Sequence, residues 1–285
     1  MRIGLVGAGA MGSALGASWL TEGHDVATSL RGRSGRTLTL ARDTGLTVVD
    51  SLEALVEADI IVSVVPPAAA VTAARAVAAA AIRSTATPLA VDLNAVSPMT
   101  LTQIAAVLRG GRLDLVDGAI SGPPPQPGPT RTTLYLSGAR AHELSMLSGS
   151  GYRTVILSER AGAASALKMS TSSMYKGMNA LVLQAIVTAS HFGVLDAFIE
   201  DVSSVWPDDV PHWPWHAALA ASKSDRFVDE MREIAATQAE AGLPPELFHG
   251  IAEAFAHISD SKLARSAPES IRRSIGLAEL LDRLR

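Results

Sequence analysis

The first twenty residues constrain this chain more than any other stretch. Ile3-Gly4-Leu5-Val6 is a short apolar run that leads straight into Gly7-x-Gly9-x-x-Gly12, and small residues from Ala14 to Leu20 follow. A strand, a glycine-rich turn and a helix in that order form the unit that cradles a dinucleotide pyrophosphate. Gly7 permits the tight turn out of the strand, Gly9 lets backbone approach the phosphates, and Gly12 lets the helix pack close to the sheet. With Ala10 and Met11 between them, these residues aim the free N–H groups and positive dipole of a helix start at the ligand.

The next strand, expected at 25–30, bears on which dinucleotide is held. In an NAD site an acidic residue near its end would bind the ribose 2′-hydroxyl. The chain instead carries Arg31-Gly32-Arg33-Ser34 there. Planar guanidinium donors suit a 2′-phosphate, so NADP is favoured over NAD. The plainer alternative is a solvated basic loop.

Short apolar runs alternate with alanine-rich helical stretches as far as residue 158. Strands are predicted at 2–6, 25–30, 47–49, 59–65, 88–93, 113–120, 132–136 and 152–157. That alternation implies an α/β fold, a mostly parallel, doubly wound Rossmann-type sheet. Beyond Ser158 helical periodicity dominates, so an all-α C-terminal domain is expected. The expected division is 1–160 and 161–285, with a long helix from about 163 to 191. Prolines at 207, 211 and 214, and again at 244 and 245, break the helical region. A stiff proline loop fills 121–130 between two strands.

Composition removes several classes of function. The net charge of −4 gives no basic field for nucleic acid or an anionic membrane. The longest apolar run, 60–82, is interrupted by Pro66-Pro67 and Arg75, so no membrane span is expected. The opening residues lack the pattern of a secretory leader, which makes the cytoplasm the default expectation. Without cysteine, disulfides, thiol nucleophiles and thiolate zinc sites are excluded.

Ligands of open α/β sheets sit beyond the carboxyl ends of the strands. There the chain offers Val65 and Pro66 beside a cofactor ribose, Asn94 toward both substrate and cofactor, and Ser97 toward a substrate. Ser121 and the Gly122 backbone would hold a polar group, while Ser97 before Pro98 reads equally as a helix cap. On the long helix, at ~100° per residue, Ser172, Tyr175 and Asn179 fall within about 40° of Lys168 and form a polar stripe. Ser172, about 6 Å along the axis, is near enough to assist the lysine, whereas Asn179, about 16 Å away, is too far to share a small substrate's reacting carbon. Lys176 lies at the stripe's edge, where a salt bridge or solvent is expected. Tyr175-Lys176 lacks the Tyr-x-x-x-Lys spacing of short-chain dehydrogenases, and that mechanism is rejected.

The segments GAGAMG (7–12), VPPAAAV (65–71), DLNAVSP (92–98), DGAISGP (117–123) and GAASALKMS (162–170) together resemble the β-hydroxyacid dehydrogenase superfamily, which includes 3-hydroxyisobutyrate and 6-phosphogluconate dehydrogenases. The resemblance covers essentially the whole chain. It is nearest to a branch with a 6-phosphogluconate-dehydrogenase-like C-terminal domain of unknown function. It implies that Lys168 is the catalytic lysine, that Ser121-Gly122 and the 94–97 segment meet the substrate, and that a homodimer forms through the helical domain. The family's asparagine four residues after the lysine is Ser172 here. Pro123 replaces the second glycine of the serine-glycine-glycine motif, and strand five carries Asn-Ala-Val-Ser in place of Ser-Thr.

The expectation is therefore an NADP-dependent oxidoreductase moving hydride between nicotinamide and a small hydroxyl or carbonyl substrate, with Lys168 as general acid and base. An imine reductase and a non-catalytic NADP sensor are the alternatives. Arg226 and Glu230 read as an i,i+4 pair on a helix. The segment Trp206–His216 reads either as a wall over an apolar substrate or as packing between helices. Its prolines argue against metal ligation by His212 and His216.

Overall fold

The structure is a computed structural model that describes residues 1–145, 147, 149 and 151–285. Contacts divide the chain into two compact units, Met1–Met169 and Ser170–Arg285. The division falls inside one helix, beyond the 160/161 boundary expected from the sequence.

The first unit is built on eight strands: β1 (Arg2–Val6), β2 (Asp25–Ser29), β3 (Thr47–Val49), β4 (Ile60–Ser63), β5 (Leu89–Asp92), β6 (Leu115–Ser121), β7 (Thr132–Ser137) and β8 (Tyr152–Ser158). All eight coincide with predicted runs. Their order is β3-β2-β1-β4-β5-β6-β7-β8, and every pairing is parallel except β6 with β7. The order reverses direction at β1 and β4, which opens the crevice where doubly wound sheets bind their ligands. Central strands read as near-continuous apolar runs because both faces are covered. One face packs Ile3, Leu5, Trp19 and Val62, and the other packs Val6, Leu55, Ile61 and Ile104.

The covering helices are α1 (Ala10–Thr21), α2 (Gly35–Asp43), α3 (Leu52–Val56), α4 (Pro67–Arg83) and α5 (Pro98–Gly110). Several start where local chemistry says they should. Ser34, Ser51 and Ser97 each accept a backbone N–H from three residues on, capping α2, α3 and α5. Ser97 is thus a helix cap, fully buried.

Helix α6 (Ala163–His191) starts in the first unit and continues into the second. The second unit adds α7 (Leu195–Val205), α8 (Trp213–Ala221), α9 (Ser224–Glu240), α10 (Glu246–Ile258) and α11 (Leu277–Leu284), with no strand among the described residues. Phe227 and Phe255 meet edge to face at 5.3 Å in its core. Among the described residues no helix is long and apolar enough to cross a membrane.

Candidate active site

The glycine turn at the start of α1 has two glycines locked by their surroundings and one left open. At Gly7, where φ is +103°, a Cβ would stand 2.2 Å from the Val64 carbonyl oxygen. At Gly12 it would stand 2.0 Å from the carbonyl oxygen of Gly7. At Gly9 a Cβ would meet nothing within 4 Å. The turn is therefore tight where backbone meets backbone and clear where a pyrophosphate would lie. Gly9 also begins α1 with no side-chain cap, which leaves the helix start to be completed by a ligand. These features fit a dinucleotide.

Arg31 and Arg33 are exposed on the turn that follows β2, and Gly32 between them takes a φ of +72°. Arg36, exposed in the first turn of α2, is a third guanidinium that sequence reading missed. Ser34 has a structural task as the α2 cap, accepting from the Thr37 N–H at 3.3 Å.

Parallel pairing brings the ends of β1, β4, β5 and β6 to one edge of the sheet. Val65 and Pro66 follow β4, and Pro66 opens α4. Asn94 lies just past β5, but its role departs from expectation. It is 2% exposed, and both amide hydrogens are spent within the protein, on Ser63 Oγ at 3.0 Å and Asp92 Oδ2 at 2.7 Å. Its Oδ1 accepts the Val65 N–H at 2.6 Å. Asn94 is a brace between the ends of β4 and β5, not a donor turned to a substrate.

Ser121 ends β6 and Gly122 follows at φ +123°, where a Cβ would stand 2.4 Å from the Arg131 carbonyl oxygen. Only glycine fits that approach. Lys168 reaches the same strand: its partly buried Nζ donates to the Ile120 carbonyl oxygen at 2.7 Å. The first unit therefore brings Lys168 to the carboxyl end of β6, one residue before Ser121.

Asp117 is the site residue that motif reading passed over. It is wholly buried in β6, and its Oδ2 accepts the N–H groups of Gly162, Ala164 and Ser165 at 2.9, 3.0 and 3.1 Å. Ser137 Oγ adds a fourth donor at 2.7 Å to Oδ2, and Ser165 Oγ a fifth at 2.6 Å to Oδ1. The start of α6 is capped by a carboxyl 45 residues upstream. No spacing rule for caps reaches that far.

In the second unit Ser172 is buried and accepts from Lys176 Nζ at 3.4 Å. Lys176 is committed to an ion pair with Glu230, which Arg226 joins at 3.0 Å. The supposed polar stripe does not persist along α6, because Tyr175 is 72% exposed. Trp206 and Trp213 pack at 6.1 Å, Phe198 and Trp213 at 6.5 Å, and Arg273 lies over Trp215 at 4.7 Å. His212 precedes α8 while His216 lies within it. Among the described residues no group of three potential ligands is poised for a metal.

Comparison with known proteins agrees with this geometry. Residues 2–94 match the family model described as NADP oxidoreductase coenzyme F420-dependent, and residues 189–258 match a domain of unknown function, DUF1932. A solved conserved protein of unknown function, described as similar to the 3-hydroxyacid dehydrogenases, is 28% identical with a TM-score of 0.67. The match covers 94% of this chain and 100% of that one. The 3-hydroxyisobutyrate dehydrogenase of Salmonella typhimurium superposes with a TM-score of 0.69 at 20% identity, over 91% and 94% of the two chains. This is a 3-hydroxyacid dehydrogenase-like fold. An uncharacterized 28.5 kDa protein of Methanothermus fervidus is 29% identical over 201 residues, 70% of this chain and 75% of that one. Imine reductases carry the same fold, among them one from Myxococcus stipitatus solved with NAD+.

Proposed function

We propose that this chain is an NADP-dependent oxidoreductase acting on a small substrate with a hydroxyl or carbonyl carbon, and that Lys168 is its general acid and base. Bound NADP(H) would take or supply the hydride. Lys168 would take the hydroxyl proton in oxidation and return it to the carbonyl oxygen in reduction. The observation that carries the reading is the Lys168 ammonium at the carboxyl end of β6, 2.7 Å from the Ile120 carbonyl oxygen. A partly buried ammonium beside the last residues of β6 supports a role in proton transfer over that of a solvated face. Ser121 and the backbone of Gly122 would orient the substrate's polar group. Ser172 is the remaining candidate to assist the lysine.

Arg31 and Arg33 support NADP over NAD: both are exposed on the turn after β2, and the sequence carries no acidic residue from 26 to 42 that would bind a ribose 2′-hydroxyl. A homodimer through the helical unit is part of the same proposal. Met174, Met178 and Leu181 share one face of α6, and with Tyr175 they are at least half exposed. Contiguous apolar surface of this kind favours a partner.

The test is NADPH oxidation, followed by nicotinamide absorbance, against β-keto acids, larger apolar ketones and cyclic imines, with Lys168→Ala beside wild type. Turnover of a carbonyl compound that falls about 10²- to 10⁴-fold in the variant is the expected result. Turnover of imines alone, or a variant as active as wild type, overturns the lysine mechanism in favour of imine reduction. Tight NADPH binding with no turnover would leave a redox sensor.

A further inference from the structure

We propose that Asp117 is the positioning residue for Lys168, fastening the start of α6 so that the lysine ammonium is held at one place on β6. The inference deepens the reading of Lys168 as acid and base and rests on it.

Helix α6 has no local means of starting. Arg160, Ala161 and Gly162 precede it, and none of them has a short polar side chain to accept its first N–H groups. Asp117 supplies the missing acceptor. One of its oxygens gathers three backbone donors from Gly162 to Ser165, and a carboxylate at a helix start is favoured by the dipole as well. The hydroxyls of Ser137 and Ser165 hold that carboxyl in turn, and Ser137 also accepts the Ala164 N–H at 3.0 Å.

The economy of the arrangement lies in β6. Lys168 stands one helical turn beyond Ala164, about 6 Å along the axis. Its Nζ is received by Ile120, three residues after Asp117 on the same strand. Both ends of the segment from Gly162 to Lys168 are thus referenced to one rigid element in the middle of a sheet. Displacing a reacting group by about 1 Å can cost about 10²-fold in rate, so an anchor of this kind bears on chemistry as well as on folding.

The test reads Lys168 directly. The chain has four lysines, at 168, 176, 223 and 262, and Lys262, with its side chain 62% exposed, is an internal reference. Trace acylation with acetic anhydride across pH, quantified by peptide mass spectrometry, gives the reactivity of each amine. Asp117→Asn turns an amide group toward converging N–H donors. The labelling of Lys168 relative to Lys262 should rise threefold or more, and its pH midpoint should move. Ser165→Ala removes one donor and should shift Lys168 less, in the same direction. Affinity for NADPH, measured by fluorescence titration, should stay within twofold of wild type, because the glycine turn is untouched.

Wild-type labelling of Lys168 in both folded variants would overturn the proposal and leave Asp117 a purely structural cap. If Asp117→Asn does not fold, Ser165→Ala decides alone. Failure of the carbonyl panel would sink the reading of Lys168 as acid and base toward a hydroxyl or carbonyl substrate while leaving the labelling result standing, so the two failures are distinguishable. Where a carbonyl substrate is found, Asp117→Asn should lower kcat at least tenfold with little change in the KM for NADPH.

Discussion

Asp92 and Asp117 stand side by side in the register of β5 and β6, both buried, and the protein treats them in opposite ways. Asp117 gathers five donors. Asp92 receives two, from the backbone and side chain of Asn94. Burial pushes the Asp92 carboxyl up to about 7, against the lowering effect of the Asn94 hydrogen bonds and with a smaller upward push from Asp117.

That shift sets a pH dependence of stability. From about pH 4 to pH 7 folded Asp92 keeps a proton that the unfolded chain has lost, so this carboxyl favours folding most at low pH. Its contribution falls as pH rises toward 7 and is level above it, a total on the order of 4 kcal/mol. In Asp92→Asn the decline between pH 5 and pH 7.5 should flatten. Urea midpoints across that range check it, and an unchanged slope would assign the pH dependence to other groups.

The same strand pair marks the boundary of what the sequence makes legible. The central strands β1, β4 and β5 are visible as apolar runs, because burial on both faces leaves no alternation to misread. Gly7, Gly9 and Gly12 reveal their purpose through spacing alone. Asn94 misleads because a polar residue just past a strand end reads as a ligand donor. Only the folded sheet brings Ser63 and Val65 within its reach. Asp117 hides for a related reason, since the first backbone donor it caps, Gly162, lies 45 residues later. Tyr175 shows the limit of angular reckoning: position on a helix wheel says nothing of where the packing partners stop.

Cofactor preference should reside in the turn after β2. Replacing Arg31 and Arg33 together by Ala should lower kcat/KM for NADPH relative to NADH by about 10- to 100-fold, the effect of losing one or two charge-assisted hydrogen bonds to a phosphate. Equal losses with the two cofactors would show that these arginines do not read the 2′-phosphate.

The glycine turn should tolerate Gly9→Ala far better than Gly12→Ala as a folded structure. A methyl at 12 would collide with the backbone of Gly7, which cannot yield as a flexible side chain would, whereas a methyl at 9 meets only open space. Thermal melts should show a large fall in Tm for Gly12→Ala and little for Gly9→Ala. NADPH titration should show weaker binding in Gly9→Ala, because its methyl occupies the pyrophosphate position.

The apolar face of α6 gives a prediction about assembly. Met178 is 52% exposed between Met174 and Leu181. A charge there would cost little in a monomer and much under a partner subunit. Light scattering after size exclusion should find a dimer for wild type and a monomer for Met178→Glu, with the helical content retained. A wild-type monomer at tens of micromolar would remove the dimer from the proposal.

Glu230 is the residue of the helical unit whose loss should be felt most. Its side chain is 6% exposed and faces Lys176, itself 13% exposed, while Arg226 approaches from a position 53% exposed. Lys176 also lies over the Phe227 ring at 5.0 Å, within the apolar surroundings of α9. Glu230→Ala takes away the carboxylate facing a buried ammonium and should destabilise the fold by about 3–5 kcal/mol. Arg226→Ala should cost less than Glu230→Ala, because its side chain is half exposed and Lys176 still faces the carboxylate. The pair Lys176→Met with Glu230→Leu removes both charges at once and should cost less than Glu230→Ala alone, since apolar groups can fill a site that a lone charge cannot occupy cheaply. Urea melts of the three variants decide the matter: equal losses for Glu230→Ala and Arg226→Ala would mean that the cluster is solvated and that burial does not set its energetics.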